Sequence, residues 1–356
     1  LGYEKHSNQG DHSGNSRNGS YRKQIQTEMG KSVIQVPRDR EGEFEPIVVP
    51  KHQSRGLSIE RLVISLYAKG MSVADIESEM QEIYGINLST SAISIITNKV
   101  SQAATEWQNR PLDSLYMIVW MDGIVFKVRE NGKVINKTVY LCVGLNKEGL
   151  KEVLGMWIGK NESAAFWMGV LTDLKARGVE DILITVTDNL NGFTETIKSV
   201  FPASTTQICV VHQIRNSCRY VVWKEKKEFT ADLKNIYNAP TKEAAEMELD
   251  NFEQKWGAKY PYAIRSWRNN WEELTVFFDF PVEIRKIIYT TNLIENLNGK
   301  IRKYTKNKLS FPNDDALKKS VYLAINEIEK KWYQPIWNWA LIFNQFITIF
   351  ENRIQV

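Results

Sequence analysis

Residues 116–122 read Tyr116-Met117-Ile118-Val119-Trp120-Met121-Asp122, an apolar run that ends on a carboxylate. A second run of the same kind, Ile182-Leu183-Ile184-Thr185-Val186-Thr187-Asp188, follows further along the chain. Nearly continuous apolar runs of this length are typical of central strands covered on both faces of a sheet. We therefore expect two buried strands that end at Asp122 and Asp188, at an edge where open α/β sheets usually bind ligands.

The segments around these runs predict the rest of the sheet. Alternating patterns bounded by turn residues predict strands at Val134–Val143, Glu152–Trp157 and Thr206–Val211. Helical patterns cover Ser163–Arg177, with Gly178 after its end, and Phe193–Phe201. Three antiparallel strands followed by helix, strand, helix and strand indicate a mixed α/β sheet of five strands with flanking helices.

The regions on either side of this core are mainly helical. Residues 57–109 predict three short helices, typical of a helix-turn-helix module, although a plain three-helix bundle fits the spacing equally well. The predicted organisation is a polar N-terminal arm with a short hairpin (1–50), a helix-turn-helix-like region (51–112), the first part of the core (113–212), a helical insertion (213–288) and the second part of the core with C-terminal helices (289–356). The aromatic tail Trp332–Arg353 is expected to pack on the core as a helix.

A third carboxylate, Glu295, stands out by its surroundings. It is the only acid between Ile284 and Ser310, and the bases there are Arg285, Lys286, Lys300, Arg302, Lys303, Lys306 and Lys308. Such a basic stretch indicates an anionic polymer near the site. Asn292 and Asn298 lie on the same predicted helix, and Asn298 shares the face of Glu295 because it comes three positions later.

Three converging carboxylates would need a counter-charge. Two like charges about 4 Å apart cost roughly 4 kcal/mol at an effective dielectric of 20. Hard cations such as Mg²⁺ relieve this repulsion and take oxygen ligands of this kind. Taken singly, Asp122 and Asp188 also fit turn or helix-cap residues, and Glu295 fits a solvated helix position. Taken together, the acids predict a two-metal phosphoryl-transfer site.

Two further patterns have competing interpretations. Cys209 and His212 have a Cys-x-x-His spacing that would be half of a zinc site, with Cys218 as a third ligand. We favour a core cysteine and a hydrogen-bonded histidine, because the other histidines all lie in the N-terminal arm. Trp271 beside Arg268 could stack an unpaired base, although core packing is expected for most tryptophans of the insertion.

Composition limits the class of protein. The 356 residues are 43% hydrophobic, which excludes a disordered chain, and the net charge of +4 is compatible with a nucleic-acid partner. Three cysteines indicate a reducing compartment rather than a disulfide framework. No apolar run approaches the roughly 20 residues of a membrane span, and no secretory leader follows Leu1. We expect a cytoplasmic, nucleoid-associated protein that lacks an N-terminal helical part.

The chain carries a series of longer motifs in a fixed order: Val36–Gly42 with Phe44-Glu45-Pro46, Ser65–Ser72, Glu152–Trp157, Cys209–Asn216, Thr275–Pro281, Ile288–Asn292 with Ile294-Glu295, and Ser310–Asp314. Together they resemble bacterial insertion-sequence transposases of the mutator type, a DDE transposase family with an RNase H-like core. The resemblance runs from about Ser20 to Arg353. One departure is Asn189 after Asp188, where the family often has Gly; Asn tolerates the left-handed conformation that Gly would supply.

The resemblance implies a function and a set of roles. Asp122, Asp188 and Glu295 would be the catalytic ligands of two Mg²⁺ ions, with Mn²⁺ as a substitute. Cys209, His212, Asn292 and Asn298 would support the site. The predicted DNA contacts are Arg215, Arg268, Trp271, Lys300, Arg302, Lys303 and Lys306. The partners would be the element's terminal inverted repeats and target DNA, bound by a homodimer or higher oligomer.

Two other functions remain compatible with the sequence. The chain could be a DNA-binding regulator or domesticated relative whose nuclease-like core is only structural. It could also be a metal-dependent nuclease that does not join strands. An assay that separates joined, nicked and uncut DNA distinguishes the three.

Overall fold

The structure is a computed structural model, and it describes residues 17–27, 30–42, 57–160, 163–188, 190, 192–289 and 292–354. Backbone contacts divide the chain into two units. The first consists of residues up to 102 together with 304–308, and the second contains residues 103–303 and 309–356. Phe44-Glu45-Pro46 and Asn189 lie outside the described residues.

The first unit contains a hairpin and three helices. Strands β1 (Arg17–Thr27) and β2 (Gly30–Asp39) pair antiparallel, as the alternating pattern predicts. They are followed by α1 (Leu57–Ala68), α2 (Val73–Glu82) and α3 (Thr90–Gln108). A capping box opens α2, because the Asp75 amide donates to Ser72 Oγ and the Ser72 amide donates to the Asp75 carboxylate. The Ser72 hydroxyl also donates to the Asp75 carboxylate at 2.7 Å, and this hydrogen bond, followed by the one from the Ser72 amide, lowers the pKa of Asp75.

The second unit is built on a mixed five-stranded sheet. Its strands are β3 (Leu115–Glu130), β4 (Lys133–Leu145), β5 (Lys151–Gly159), β6 (Asp181–Thr187) and β7 (Thr205–Ile208), in the order β5-β4-β3-β6-β7. The first three are antiparallel neighbours, whereas β6 pairs parallel with β3 and β7 parallel with β6. This order and orientation are those of an RNase H-like sheet, which confirms the predicted fold class.

Two strand ends differ from the prediction, and both differences concern the site. Strand β3 does not end at Asp122 but continues to Glu130, because the residues beyond it alternate between buried and exposed positions and pair with β4. Strand β7 ends at Ile208 rather than at Val211. Cys209 caps the next helix, since its Sγ accepts from the His212 amide at 3.5 Å, and Val211 is therefore helical.

Helices α4 (Ala164–Ala176) and α5 (Phe193–Val200) cover one face of the sheet. Ser163 caps α4, and Gly178 follows its end with a φ of +111°, the left-handed conformation predicted there. Beneath them lies a continuous core in which Trp167 is fully buried and stacks on Phe193, with the ring centroids 4.5 Å apart. Val119 and Met121 of β3 belong to this core.

The remaining helices follow β7. The insertion contains α6 (Val210–Ser217), α7 (Trp223–Tyr237), α8 (Lys242–Trp256), α9 (Pro261–Asn269), α10 (Trp271–Thr275) and α11 (Val282–Ile288), with short 3-10 turns at Cys218–Tyr220 and Val276–Asp279. The chain then forms α12 (Asn292–Thr305), α13 (Asp314–Glu329) and α14 (Trp339–Ile349).

The tail is helical over a shorter range than predicted. Helix α14 begins at Trp339 rather than near Trp332, because Asn338 takes a left-handed conformation with a φ of +61°. Trp337 is left 87% exposed, whereas Phe346 is fully buried. In the described part of the chain, no helix combines the length and the apolar character needed to cross a membrane.

Candidate active site

The sheet places Asp122 and Asp188 side by side. The parallel register of β3 and β6 aligns Trp120 with Val186. Asp122 comes two residues later within β3, and Asp188 comes two residues after Val186, directly after the end of β6. Side chains two apart on a strand share a face, and neighbouring strands lie about 4.8 Å apart. Because Val119 and Met121 point toward α4 and α5, Asp122 points to the opposite face.

Helix α12 contacts the sheet at this position. Asn298 Nδ2 donates to Asp122 Oδ2 at 2.8 Å, and the Gly123 amide donates to Asp122 Oδ1 at 2.8 Å. Asp122 is buried, with only 8% of its surface exposed. The hydrogen bond from Asn298 therefore fixes one carboxylate oxygen and brings the helix that carries Glu295 next to this part of β3.

Glu295 is held by Arg215 from helix α6. The guanidinium makes two parallel contacts, Nη1 to Oε1 at 2.7 Å and Nη2 to Oε2 at 2.9 Å. Arg215 is 59% exposed and Glu295 is 23% exposed, so the pair lies at the margin of the site. The sequence predicts Arg215 as a DNA contact, and its ion pair with Glu295 is not among the predicted contacts. The available signal is that Arg215 comes three positions after His212, on the same face of α6.

His212 lies close enough to both aspartates to respond to their charge. A hydrogen bond with Cys209 raises the pKa of His212 to about 9, burial opposes this rise, and the charges of Cys209, Asp122 and Asp188 add to it. Cys209 is fully buried. The buried position of Cys209 agrees with the preferred interpretation of a core cysteine. His212 Nδ1 is buried without a hydrogen-bond partner among the described residues.

The raised pKa of His212 predicts a pH-dependent contribution to stability in metal-free buffer. Its stabilisation should be complete below pH 6.5, the value of an unperturbed histidine, and should be lost as the pH rises through about 9. The gap in unfolding free energy between the wild type and His212→Gln should therefore shrink by about 2–3 kcal/mol over that range. Urea unfolding followed by tryptophan fluorescence measures it, and a constant gap would contradict the assignment.

The other predicted site residues fall into two groups. Lys300, Arg302, Lys303 and Lys306 are exposed on or just after α12, as DNA-binding side chains must be. Trp271, by contrast, is buried, and Arg268 is bound to Glu253 at 2.7 Å and to Asp250. The structure therefore gives no support for base stacking by Trp271. The side chain of Asn292 lies outside the described part of α12.

The carboxylate oxygens of the three acids suit a hard cation, but the acids are not arranged around a common metal position in this conformation. Among the described residues, no three side chains of His, Cys, Asp or Glu are grouped so that they could hold a metal ion, whether Mg²⁺ or the zinc considered for Cys209, His212 and Cys218. Carboxylate oxygens are nevertheless the ligands that Mg²⁺ prefers. Asn298 Oδ1 is also buried without a hydrogen-bond partner among those residues. A cation shared by all three acids would require Glu295 to leave Arg215.

Two known proteins are similar in sequence to this chain over nearly its whole length. The transposase for insertion sequence element ISRM3 of Rhizobium meliloti is 43% identical over 340 residues, which cover 95% of this chain and 85% of the relative. A probable transposase for an ISRM3-like element of Sinorhizobium fredii matches to the same extent. More distantly, the Drosophila P element transposase strand transfer complex matches with a TM-score of 0.40 and 10% identity, over 78% of this chain and 92% of that one.

The family model for "Transposase, Mutator family" matches residues 1–335. Together with the curated relatives, this match supports an insertion-sequence transposase function. The chain therefore belongs to the mutator family of transposases.

Proposed function

We propose that this transposase binds the terminal inverted repeats of its insertion sequence and catalyses metal-dependent strand cleavage and strand transfer. Asp122, Asp188 and Glu295 would be the metal-binding acids. One observation carries this assignment furthest: the hydrogen bond of 2.8 Å from Asn298 to Asp122 joins the helix of Glu295 to the part of β3 that lies level with the end of β6, where Asp188 follows. The curated relatives named as insertion-sequence transposases support the same reaction class.

The reaction consists of two in-line displacements at phosphorus. In the first, water attacks a phosphodiester at the element end, the bond to the 3′-oxygen breaks, and that oxygen takes a proton to become a 3′-hydroxyl. In the second, this 3′-hydroxyl attacks a target phosphodiester, and a new bond forms as a target 3′-oxygen leaves. Two Mg²⁺ ions, or Mn²⁺ in their place, would activate the attacking oxygen and neutralise the phosphate. No covalent enzyme intermediate is needed.

The protein's own residues position these groups. Asn298 orients Asp122 through the hydrogen bond to Oδ2. His212, with its raised pKa, supplies positive charge beside Asp122 and Asp188. Lys300, Arg302, Lys303 and Lys306 are exposed and would contact backbone phosphates, which makes DNA binding steeply dependent on salt. Synapsis of two DNA ends would require a homodimer or higher oligomer.

The contact between Arg215 and Glu295 predicts a change in metal requirement. Because the guanidinium competes with a cation for the same carboxylate, Arg215→Gln should reach half-maximal cleavage at an Mg²⁺ concentration about two- to fivefold lower than the wild type. The measurement is cleavage against Mg²⁺ at saturating DNA. Arg129→Gln removes one exposed arginine elsewhere and should leave the Mg²⁺ requirement unchanged. An unchanged or higher requirement in Arg215→Gln would contradict competition at Glu295.

The proposed reaction is tested with labelled duplexes that carry the ends of the element. The purified chain is incubated with these ends, a target plasmid and Mg²⁺, and joined, nicked and uncut DNA are separated on a denaturing gel. Joined products that require both Mg²⁺ and the element ends support strand transfer. Nicked products alone indicate a nuclease, and specific binding without any cut indicates a regulator; either result overturns the proposal.

A further inference from the structure

A group of exposed aromatic rings lies within the insertion, just after helix α6 and near the starts of α7 and α9. Trp223 at the start of α7 is 86% exposed, Tyr220 is 62% exposed, and Tyr262 of α9 is 51% exposed. The rings of Tyr220 and Tyr262 meet edge to face, with their centroids 5.5 Å apart. We call Tyr220, Trp223 and Tyr262 the aromatic platform. Tyr220 and Tyr262 are in contact, and Trp223 comes three residues after Tyr220 in the chain. Large aromatic side chains gain much by burial, so an exposed pair with a third exposed ring nearby in the chain indicates a binding surface.

The surroundings of the aromatic platform are basic. Arg219, Lys224, Lys226, Lys227 and Arg265 are exposed, and the structure gives none of them an ion pair among the residues it describes. Arg219 lies 5.6 Å from the centroid of the Tyr220 ring. The neighbouring acids are already engaged, since Glu225 contacts Lys259 and Tyr260, and Glu228 contacts Lys255 at 2.6 Å. Arg219 and Arg265 therefore lie beside the tyrosine rings, and Lys224, Lys226 and Lys227 follow Trp223 in the first two turns of α7.

Buried hydrogen bonds hold this surface in place. Trp267 Nε1 donates to Ser217 Oγ at 2.9 Å, which ties α9 to the end of α6. The Val222 amide donates to the Tyr260 hydroxyl at 3.3 Å, which ties the start of α7 to α9. A cavity of about 430 Å³ opens here, lined in part by Tyr220, Tyr262 and Arg265. Its volume falls within the range of small-ligand sites, so a planar group would meet a formed surface.

The aromatic platform is one helix away from the candidate active site. Helix α6 begins after Cys209, carries His212 and Arg215, and ends at Ser217, just before Tyr220. Its eight residues span about 12 Å at 1.5 Å per residue. DNA rises about 3.4 Å per nucleotide of one strand, so the distance along the helix corresponds to about three or four nucleotides. A DNA strand that follows α6 away from the candidate active site would therefore reach the aromatic platform within a few nucleotides.

We propose that Tyr220, Trp223 and Tyr262 stack an unpaired nucleobase of the DNA strand that passes the candidate active site. The inference rests on the proposed function, because it takes DNA as the substrate. Stacking requires a free base face, which a paired base inside a duplex does not offer. The surrounding cations match the phosphates on either side of such a base. This surface performs the role that the sequence suggested for Trp271 and Arg268, whose side chains are buried or ion-paired.

The test measures binding in EDTA, so that it does not depend on cleavage. The probes are a blunt duplex, the same duplex with a single-stranded thymidine overhang, and the same duplex with an abasic overhang. The full chain should bind the thymidine overhang more tightly than the abasic one. Trp223→Ala should reduce this preference roughly 5- to 100-fold, Tyr220→Ala should also reduce it, and Trp223→Phe should retain most of it.

The matched control is Trp337→Ala, which removes an equally exposed tryptophan from the C-terminal segment and should leave the preference unchanged. A preference that survives Trp223→Ala overturns the proposal, as does an equal loss of affinity for all three probes, which would indicate phosphate binding alone. A fall in the solution mass of Trp223→Ala with an unchanged preference would instead indicate an interface between two copies. If the protein joins DNA strands but shows no overhang preference, the stacking proposal fails and the transposase proposal stands. If it shows the preference but does not cleave DNA, the transposase proposal fails and the stacking proposal stands.

Discussion

Replacing Asp188 by Asn is expected to abolish strand cleavage, with a loss of rate on the order of 10³-fold or more. The amide keeps the shape of the side chain but removes the negative charge that a divalent cation requires. Asp188 follows β6 directly, and its charge reaches His212, so it belongs to the same site as Asp122. Single-turnover cleavage of a labelled element end in Mg²⁺ measures the effect. Binding of that end should be unchanged, because the charge acts on the cation and not on the phosphates that fix the duplex.

Glu180→Gln is the matched control for this experiment. It removes one exposed carboxylate just before the same strand β6, at the end opposite to Asp188. Cleavage by Glu180→Gln should equal that of the wild type. Cleavage by Asp188→Asn at the wild-type rate would show that Asp188 is not a catalytic residue. A parallel loss of DNA binding and of thermal stability would mean that Asp188 acts on the fold instead.

Trp167→Ala is expected to lower the free energy of unfolding by about 3–5 kcal/mol. The ring is fully buried between α4 and the sheet, stacks on Phe193 and meets the Tyr140 ring edge to face at 5.3 Å between centroids. Its removal leaves a cavity that these rigid aromatic neighbours cannot fill. Denaturant unfolding followed by circular dichroism measures the change. Trp337→Ala, which removes an exposed ring, should change stability by no more than about 0.5 kcal/mol. Equal effects of the two variants would contradict the assigned core.

The central strands could be predicted because a strand buried on both faces needs nearly continuous apolar residues, and this pattern is visible in the local sequence. The apolar runs that end at Asp122 and Asp188 correspond to β3 and β6, and Gly178 follows the end of α4 as predicted. The extension of β3 to Glu130 was also present in the sequence, as the alternation of Ile124, Phe126 and Val128. It was missed because the carboxylate at position 122 resembled the end of a strand.

The contacts that form the site could not be predicted, because they join distant parts of the chain. Asn298 and Asp122 are 176 positions apart, and Arg215 and Glu295 are 80 positions apart. Each contact depends on how α12 and α6 pack against the sheet, which no local pattern specifies. The same applies to Trp271, because burial of one tryptophan and exposure of another depend on the packing of neighbouring helices. The end of β7 near Cys209 could not be predicted either, because a short apolar run is compatible with both a strand and a helix.

The measurement that tests the catalytic site most directly is a crystal structure of the protein with an element end and Mn²⁺, in which anomalous scattering locates the metal. We expect Mn²⁺ to be bound by carboxylate oxygens of Asp122, Asp188 and Glu295, near the Mg²⁺–oxygen distance of about 2.1 Å. We also expect Arg215 to have left Glu295. Mn²⁺ bound elsewhere, or a Glu295 that still contacts Arg215 while the metal is held by other residues, would contradict the assignment of the three acids.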